Sequence, residues 1–299
     1  MNKKRVTKAY KQLLPPLSLL LVLLMLGGCR ERSAAETARS GVLIVSVDRQ
    51  LQGVADIQGE VFSRHYPDSR ITIVPAASGK TLMSLLDHKA GAALISGELQ
   101  PQEDSLVASL NRPLRREPVG RDALVCIVNS NNRVATLSLK ELSVMFSRKG
   151  SETTPLIRAD DYRLETLLAG KIGKKREDLR AWACRSDGEL IRRVGADRSA
   201  VGVLFRSALN AGTISDAERN LVRVVPLVSE RAGGKAFLPT RQNIFDGSYP
   251  LVTTVYYVYY PGNVLATGFG SWLSSSGQTV FERSALVPFK LLERTIILK

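Results

Sequence analysis

From Gly41 onward the chain alternates short β-branched runs with runs of helical periodicity, and this order limits the possible folds more than any other feature. Val42–Val47 reads as a strand. Val54, Ile57, Val61 and Phe62 recur at helical spacing and predict a helix from about Val54 to His65, stopped by Tyr66-Pro67-Asp68. Ile71–Val74 is the next strand, 75–79 a loop, and Thr81–His88 a helix with Leu82, Leu85 and Leu86 on one face. Ala92–Ile95 is a third strand. Strands separated by helices cannot pair as hairpins. They imply a mainly parallel sheet, with ligand loops at the carboxyl ends of its strands.

The later chain adds local signals. Ser138 and Glu141 have capping-box spacing ahead of Leu142, and Ser186 and Glu189 repeat it ahead of Leu190, Ile191 and Val194. Each predicts a helix start. Val255–Tyr260 is β-branched and aromatic, so it reads as a strand packed in a sheet. A turn follows at Pro261-Gly262-Asn263, then a helix through Phe269, Trp272 and Leu273 with Gly277 as its stop.

Several of these segments together resemble the phosphate-type periplasmic solute-binding proteins of ABC transporters. The resemblance is carried by Ser248-Tyr249-Pro250-Leu251, the strand and helix after it, Gly277-Gln278 and Val287-Pro288. It extends to the crossing strand within Arg121–Asn132, to Leu137–Leu142 leading into Phe146-Ser147, and to Ser199–Phe205. It runs from about Gly41 to Phe289. The resemblance implies an α/β, two-lobed periplasmic-binding-protein type II fold with a ligand cleft between lobes. Lobe one would be 41–122 plus 252–299, and lobe two 123–251. The implied function is capture of phosphate or a similar small oxyanion by hinge closure, for delivery to an ABC permease, by a monomer without enzymatic activity or a cofactor.

In that family the anion is held by loop hydroxyls, backbone N–H groups at helix N-termini and an Arg. Helix N-termini offer unpaired N–H groups, and Arg presents a fork matching two oxygens. Carried onto this chain, the binding residues would be Ser78, Gly79, Lys80 and Thr81 after the second strand, Ser96 after the third, and Arg158 as the fork. The first loop departs from the family's small hydroxyl-rich turn: it reads Val47-Asp48-Arg49-Gln50. Arg49 and Gln50 can bind an anion, whereas the Asp48 charge opposes one. The segment after Arg158 departs too, with Asp160-Asp161-Tyr162-Arg163 in place of small residues. Asp160 and Asp161 are read as caps of the helix bearing Leu164, Leu167 and Leu168. A signalling or assembly subunit that keeps the scaffold but has lost its solute is the alternative these departures raise.

The N-terminus resembles a bacterial lipoprotein signal. A basic stretch, an apolar run from Leu17 to Leu26 and Gly27-Gly28 precede Cys29. The run is too short to span a bilayer. Residues 1–28 would be removed, Cys29 would carry lipid, and 29–40 would be a flexible tether. This places the chain on the outer face of a membrane in the bacterial envelope, periplasmic or extracellular. Cys126 and Cys184 read as two small buried residues, with a disulfide left open by the exported context.

Formal net charge is +14, and five of those charges lie in the first 28 residues. The remaining Lys and Arg are scattered without interleaved aromatics, which argues against nucleic acid as a partner. His65 and His88 stand alone, so no metal site is predicted. No Gly-x-Ser-x-Gly, His-Glu-x-x-His or paired-Cys motif is present. Ser78-Gly79-Lys80-Thr81 ends like a nucleotide P-loop, but Val74 stands where that motif requires Gly.

Overall fold

The structure is a computed structural model that describes residues 36–110, 112–147 and 152–291. The signal peptide and Cys29 lie outside the described residues. Glu36–Ser40, assigned above to the tether, includes a turn closed by a Thr37–Ser40 bridge, with the Arg39 guanidinium 5.2 Å from the Tyr66 ring centre.

In chain order the strands are β1 (Gly41–Asp48), β2 (Ser69–Ala76), β3 (Ala92–Ser96), β4 (Arg115–Asn129), β5 (Leu137–Ser138), β6 (Thr154–Arg158), β7 (Trp182–Cys184), β8 (Ala200–Phe205), β9 (Val222–Val224), β10 (Leu227–Ser229), β11 (Lys235–Phe237), β12 (Val252–Tyr259) and β13 (Val287–Pro288). The helices are α1 (Gln52–His65), α2 (Ser78–Leu86), α3 (Pro101–Ser109), α4 (Leu139–Met145), α5 (Tyr162–Lys171), α6 (Asp187–Ala196), α7 (Arg206–Leu209), α8 (Asp216–Asn220), α9 (Arg241–Phe245), α10 (Val264–Leu273) and α11 (Gln278–Glu282).

The main sheet has the order β2-β1-β3-β12-β4-β8-β6-β7, with β13 and β9 also paired to β4. β1 lies parallel between β2 and β3, as the strand–helix alternation predicts. β6 is likewise parallel to β8 and β7. β4 and β12 run against their neighbours and join these two parallel groups. Over its 15 residues β4 pairs with β12 through Ala123 and then with β8 from Leu124. Leu124 N–H donates to Leu251 O at 3.0 Å, so the two crossing segments are bonded side by side.

Apolar burial follows the same division. Leu43, Val45, Phe62, Tyr257, Phe269 and Trp272 belong to one core, and Leu82, Leu85 and Ile95 fill the opposite face of its sheet. A separate core contains Leu124–Val128, Leu156, Leu164, Leu190, Val203 and Tyr249. The Val255–Tyr260 run packs in the sheet as expected: Tyr257 and Tyr259 are buried, and their hydroxyls donate to Ala266 O at 3.1 Å and Glu117 Oε1 at 2.6 Å. Cys126 and Cys184 are both buried and free.

Both capping predictions hold. Ser138 Oγ accepts from Glu141 N–H at 3.1 Å while Glu141 Oε2 accepts from Ser138 N–H at 2.7 Å, a reciprocal box. At α6, Ser186 Oγ accepts from Glu189 N–H at 3.1 Å, but the Glu189 carboxylate turns back to Arg185 N–H at 2.8 Å, one residue earlier than the box requires.

One reading is corrected. Gly277 does not stop the helix in a left-handed conformation. α10 ends at Leu273, and Gly277 has φ −63° at the entry to α11. Its glycine is explained by close approach. A Cβ there would lie 2.8 Å from Gln58 Oε1 and 2.9 Å from Trp272 O. Gln58 is buried at this point, accepting from Trp272 Nε1–H at 3.0 Å and donating to Gly277 O at 2.8 Å. Gly277→Ala is expected to destabilise the fold by about 1–3 kcal/mol, the usual cost of overpacking. Urea denaturation measures it, and unchanged stability would refute the close-packing account.

Candidate functional site

The loops singled out in the sequence leave the carboxyl ends of β1, β2, β3 and β6. The structure brings them together but divides them into a closed inner part and an open cavity.

The inner part is held by buried charge. Arg163, in the first turn of α5, has a side chain only 1% exposed. Its Nη2 donates to Glu103 Oε1 at 2.8 Å and its Nη1 to Glu98 O at 3.1 Å. Its Nε lies 3.6 Å from Asp48 Oδ2, an ion pair too long for a hydrogen bond. Asp48 Oδ2 in turn accepts the Ser96 N–H at 2.8 Å. Asp161 is the N-cap of α5: its Oδ1 accepts from Leu164 N–H at 3.2 Å and from Ser78 Oγ–H at 3.0 Å. Ser78 Oγ also accepts the Arg163 N–H at 3.1 Å. The expected capping role of Asp161 is therefore present, and its carboxylate does more than cap.

The donors that would suit an oxyanion here already serve the chain's own carboxylates. The Ser96 N–H goes to Asp48, while the Ser78 hydroxyl and one N–H at the α5 N-terminus go to Asp161. Gly97 shows how closely the segments approach. Its φ is +84°, which favours glycine, and a Cβ would lie 2.8 Å from Leu167 Cδ2 on α5. Asp48 Oδ1, Arg163 Nε and the nearby Ser46 Oγ make no hydrogen bond among the described residues. Burial pushes the Asp48 carboxyl up from its ordinary 3.8 to about 7, against the opposing pull of Arg163 and the Ser96 N–H. Burial also raises Asp161, opposed by its bonds to Leu164 and Ser78.

The other predicted residues separate. Thr81 is buried, with its hydroxyl 3.4 Å from Ala77 O, Gly79 is half-buried and Lys80 is exposed. Arg49, Gln50 and Arg158 line a cavity of about 790 Å³ with Asp187 and Gly188. Gln50 links the two parts, donating from Nε2 to Ser96 Oγ at 3.0 Å. Arg158, 8% exposed at the end of β6, donates from Nη1 to Asp187 Oδ2 at 2.6 Å. Burial raises the Asp187 carboxyl, while the Arg158 guanidinium opposes that shift. The N-terminus of α6 opens on the same cavity at Ser186–Gly188. Arg49 makes no ion pair or hydrogen bond among the described residues. Arg49, whose charge acts on Asp187, the buried Arg158 ion-paired with Asp187, and a helix N-terminus can receive an anion.

Sequence reasoning missed Arg163, Glu103 and Asp187. Asp187 follows the Ser186 cap directly, so its place in a first helical turn was readable. The pairing of Arg163 with Glu103 spans 60 residues, and no local pattern signals it. Among the described residues no group of three or more His, Cys, Asp or Glu is placed to hold a metal ion, and no helix is long and apolar enough to cross a membrane.

Comparison with known proteins bears on the fold and the family. The model of the PBP superfamily domain matches residues 32–276, and the chain belongs to that superfamily. Protein SphX of Synechococcus elongatus is 25% identical over 189 residues, 51% of this chain and 52% of SphX. Phosphate-binding protein PstS 2 of Streptococcus pneumoniae is 24% identical over 110 residues, 37% of this chain and 35% of PstS 2. The chain thus spans about half or less of the length of these curated relatives. Among solved structures, a candidate phosphate ABC transporter substrate-binding protein of Clostridium perfringens, crystallised with bound phosphate, aligns with a TM-score of 0.67. It is 18% identical, and the alignment covers 84% of this chain and 100% of that one. The expected α/β binding-protein fold is therefore established.

Two predictions follow from the buried cluster. Arg163→Ala leaves Asp48 and Glu103 without their cation and is expected to cost about 3–5 kcal/mol in chemical denaturation. Adding Asp48→Asn should recover part of that loss, and no recovery would sink the charge-compensation account. The second concerns pH. Because Asp48 titrates near 7 when folded and near 3.8 when unfolded, the native state holds a proton across that window which the unfolded chain has released. Its contribution to stability therefore falls as pH rises from about 4 to about 7. Asp48→Asn has no such proton, so its stability relative to wild type should climb over that range and level off above it. A difference flat in pH would contradict the raised value.

Proposed function

We propose that the chain is an extracytoplasmic solute-binding protein that captures phosphate or a similar small oxyanion for an ABC permease, anchored through lipid on Cys29. The observation that carries this reading is the buried Arg158 guanidinium, held by Asp187 and facing a cavity shared with Arg49 and the N-terminus of α6. An incoming oxyanion replaces the Asp187 carboxylate on the Arg158 fork and takes a second cation from Arg49. Residues 41–122 with 252–299 and residues 123–251 act as two lobes, and their closure excludes water and strengthens the charged contacts. The phosphate named for PstS 2 and bound by the Clostridium perfringens protein supports this class of ligand. In this reading the protein is not an enzyme and acts as a monomer.

A second reading is favoured by the inner cluster. The Ser78, Ser96 and α5 donors are already satisfied by Asp161 and Asp48, as expected of a scaffold that has given up its solute and serves as a signalling or assembly subunit.

Thermal unfolding with phosphate, sulfate, molybdate and small carboxylates at fixed ionic strength separates the two. Solute capture predicts about 4 kcal/mol of stabilisation at ligand 1,000-fold above Kd, lost in Arg158→Ala. No stabilisation by any anion would reject capture in favour of the subunit.

A further inference from the structure

The buried charges of the inner cluster join segments that belong to different cores. α5 carries Leu164 and Leu168 of one core, whereas β1 carries Val45 and Val47, and α2 carries Leu82 and Leu85, on the two faces of the other sheet region. Arg163 of α5 reaches Asp48 at the end of β1 at 3.6 Å. Four hydrogen bonds cross the same gap. The Arg163 guanidinium donates to Glu103 Oε1 at 2.8 Å and to Glu98 O at 3.1 Å. The Arg163 N–H donates to Ser78 Oγ at 3.1 Å, and the Ser78 hydroxyl donates to Asp161 Oδ1 at 3.0 Å. These contacts lie beside the residues of the open cavity. Asp48 directly precedes Arg49, and Arg163 follows Arg158 by five residues. The Asp48–Arg163 pair therefore ties the loop that bears Arg49 to the turn that follows Arg158. Desolvation offsets much of the attraction in a buried ion pair. Its partners here are parts of one chain, however, so joining them costs none of the translational freedom that a solute gives up on binding. A gap closed by the chain's own bonds needs no solute to complete it.

We propose that Arg163 is a latch that keeps the two cores joined independently of solute, and a positioning residue that sets Arg49 and Arg158 in place ahead of an incoming anion. The positioning role rests on the oxyanion reading above; the latch itself does not. Arg163 touches no anion in this arrangement and acts through the two loops it ties together. Closure around an anion is then confined to the Arg49–Arg158 side of the cleft, because the inner side is already shut. Without the latch the loops are free to separate, and the anion meets a site that is formed only part of the time. Its apparent affinity falls by that fraction.

Small-angle X-ray scattering and calorimetric titration with phosphate and sulfate, on the purified full chain at pH 7 and fixed ionic strength, test this. Wild type should keep one radius of gyration with and without phosphate. The double variant Arg163→Ala, Asp48→Asn removes the cation together with its most buried counter-charge, so no lone charge is left at that point of the interior. It should expand in anion-free buffer and return to the wild-type radius with phosphate. Its phosphate affinity should be about tenfold weaker, as for a site formed one time in ten. Arg163→Lys, which keeps the charge and gives up the fork, should recover part of both losses. Glu103→Gln lies on α3, none of whose residues is buried, so it weakens the latch without disturbing a core. It should shift radius and affinity in the same direction by less. Contraction of wild type on adding phosphate would overturn the latch and leave oxyanion capture standing. Wild-type radius and affinity in both the double variant and Glu103→Gln would overturn it as well. If neither anion binds wild type, the oxyanion reading and the positioning role both fall. The radius of the double variant then decides the latch alone: expansion supports it, and an unchanged radius overturns it.

Discussion

The buried guanidinium of Arg163 is the contact on which the arrangement of the site depends. It reaches from α5 to Asp48 at the end of β1 and to Glu103 on α3. A buried ion pair is weak evidence for stability in itself, because desolvation offsets the attraction. Its effect here is positional. With Arg163 inserted, the backbone at Arg163 meets Ser78, the Asp161 carboxylate meets the Ser78 hydroxyl, and Leu167 meets Gly97. The inner part of the cleft is thereby filled by the chain itself, and the free space lies on the Arg49–Arg158 side.

This division changes the meaning of the acidic residues. Taken alone, Asp48 opposes anion binding. Buried and bonded to the Ser96 N–H, it takes up a donor that an anion would otherwise use. Asp187 belongs to a different environment, at a cavity where a ligand can replace it on Arg158. Asp161 takes up the Ser78 hydroxyl and the Leu164 N–H, and Asp187 takes up Arg158. Asp161 is buried, and Asp187 lines the open cavity.

Features with a local physical cause were legible in the sequence. The alternation of strands and helices gave the parallel sheet because period and turn chemistry act within a few residues. The Ser138–Glu141 box was legible for the same reason, as was the cap at Asp161. Gly277 was misread because glycine serves two purposes, left-handed backbone and close approach, and only the position of Gln58 decides between them. Arg49, Gln50 and Arg158 meet at one cavity, while the Ser78 hydroxyl donates to Asp161 and the Ser96 hydroxyl accepts from Gln50. Ion pairs between residues far apart in sequence leave no periodic trace.

β4 is one continuous strand, with a register irregularity against β12 at Val119, that serves two cores, and this fixes more than their connection. Side chains alternate along a strand, so beyond the irregularity at Val119 a slip of one residue against β12 would turn the β4 side chains to the wrong face. The same slip would travel past Ala123 into the pairing with β8, because no loop intervenes to absorb it. Asp122 sits at that junction, its Oδ1 accepting the Ala123 and Ser207 N–H groups at 2.8 and 3.2 Å and its Oδ2 the Ser207 hydroxyl at 2.5 Å. The two hydrophobic cores therefore share a single alignment. Misalignment at β4 would spoil both together, and one polar anchor beside the crossing holds the frame for each.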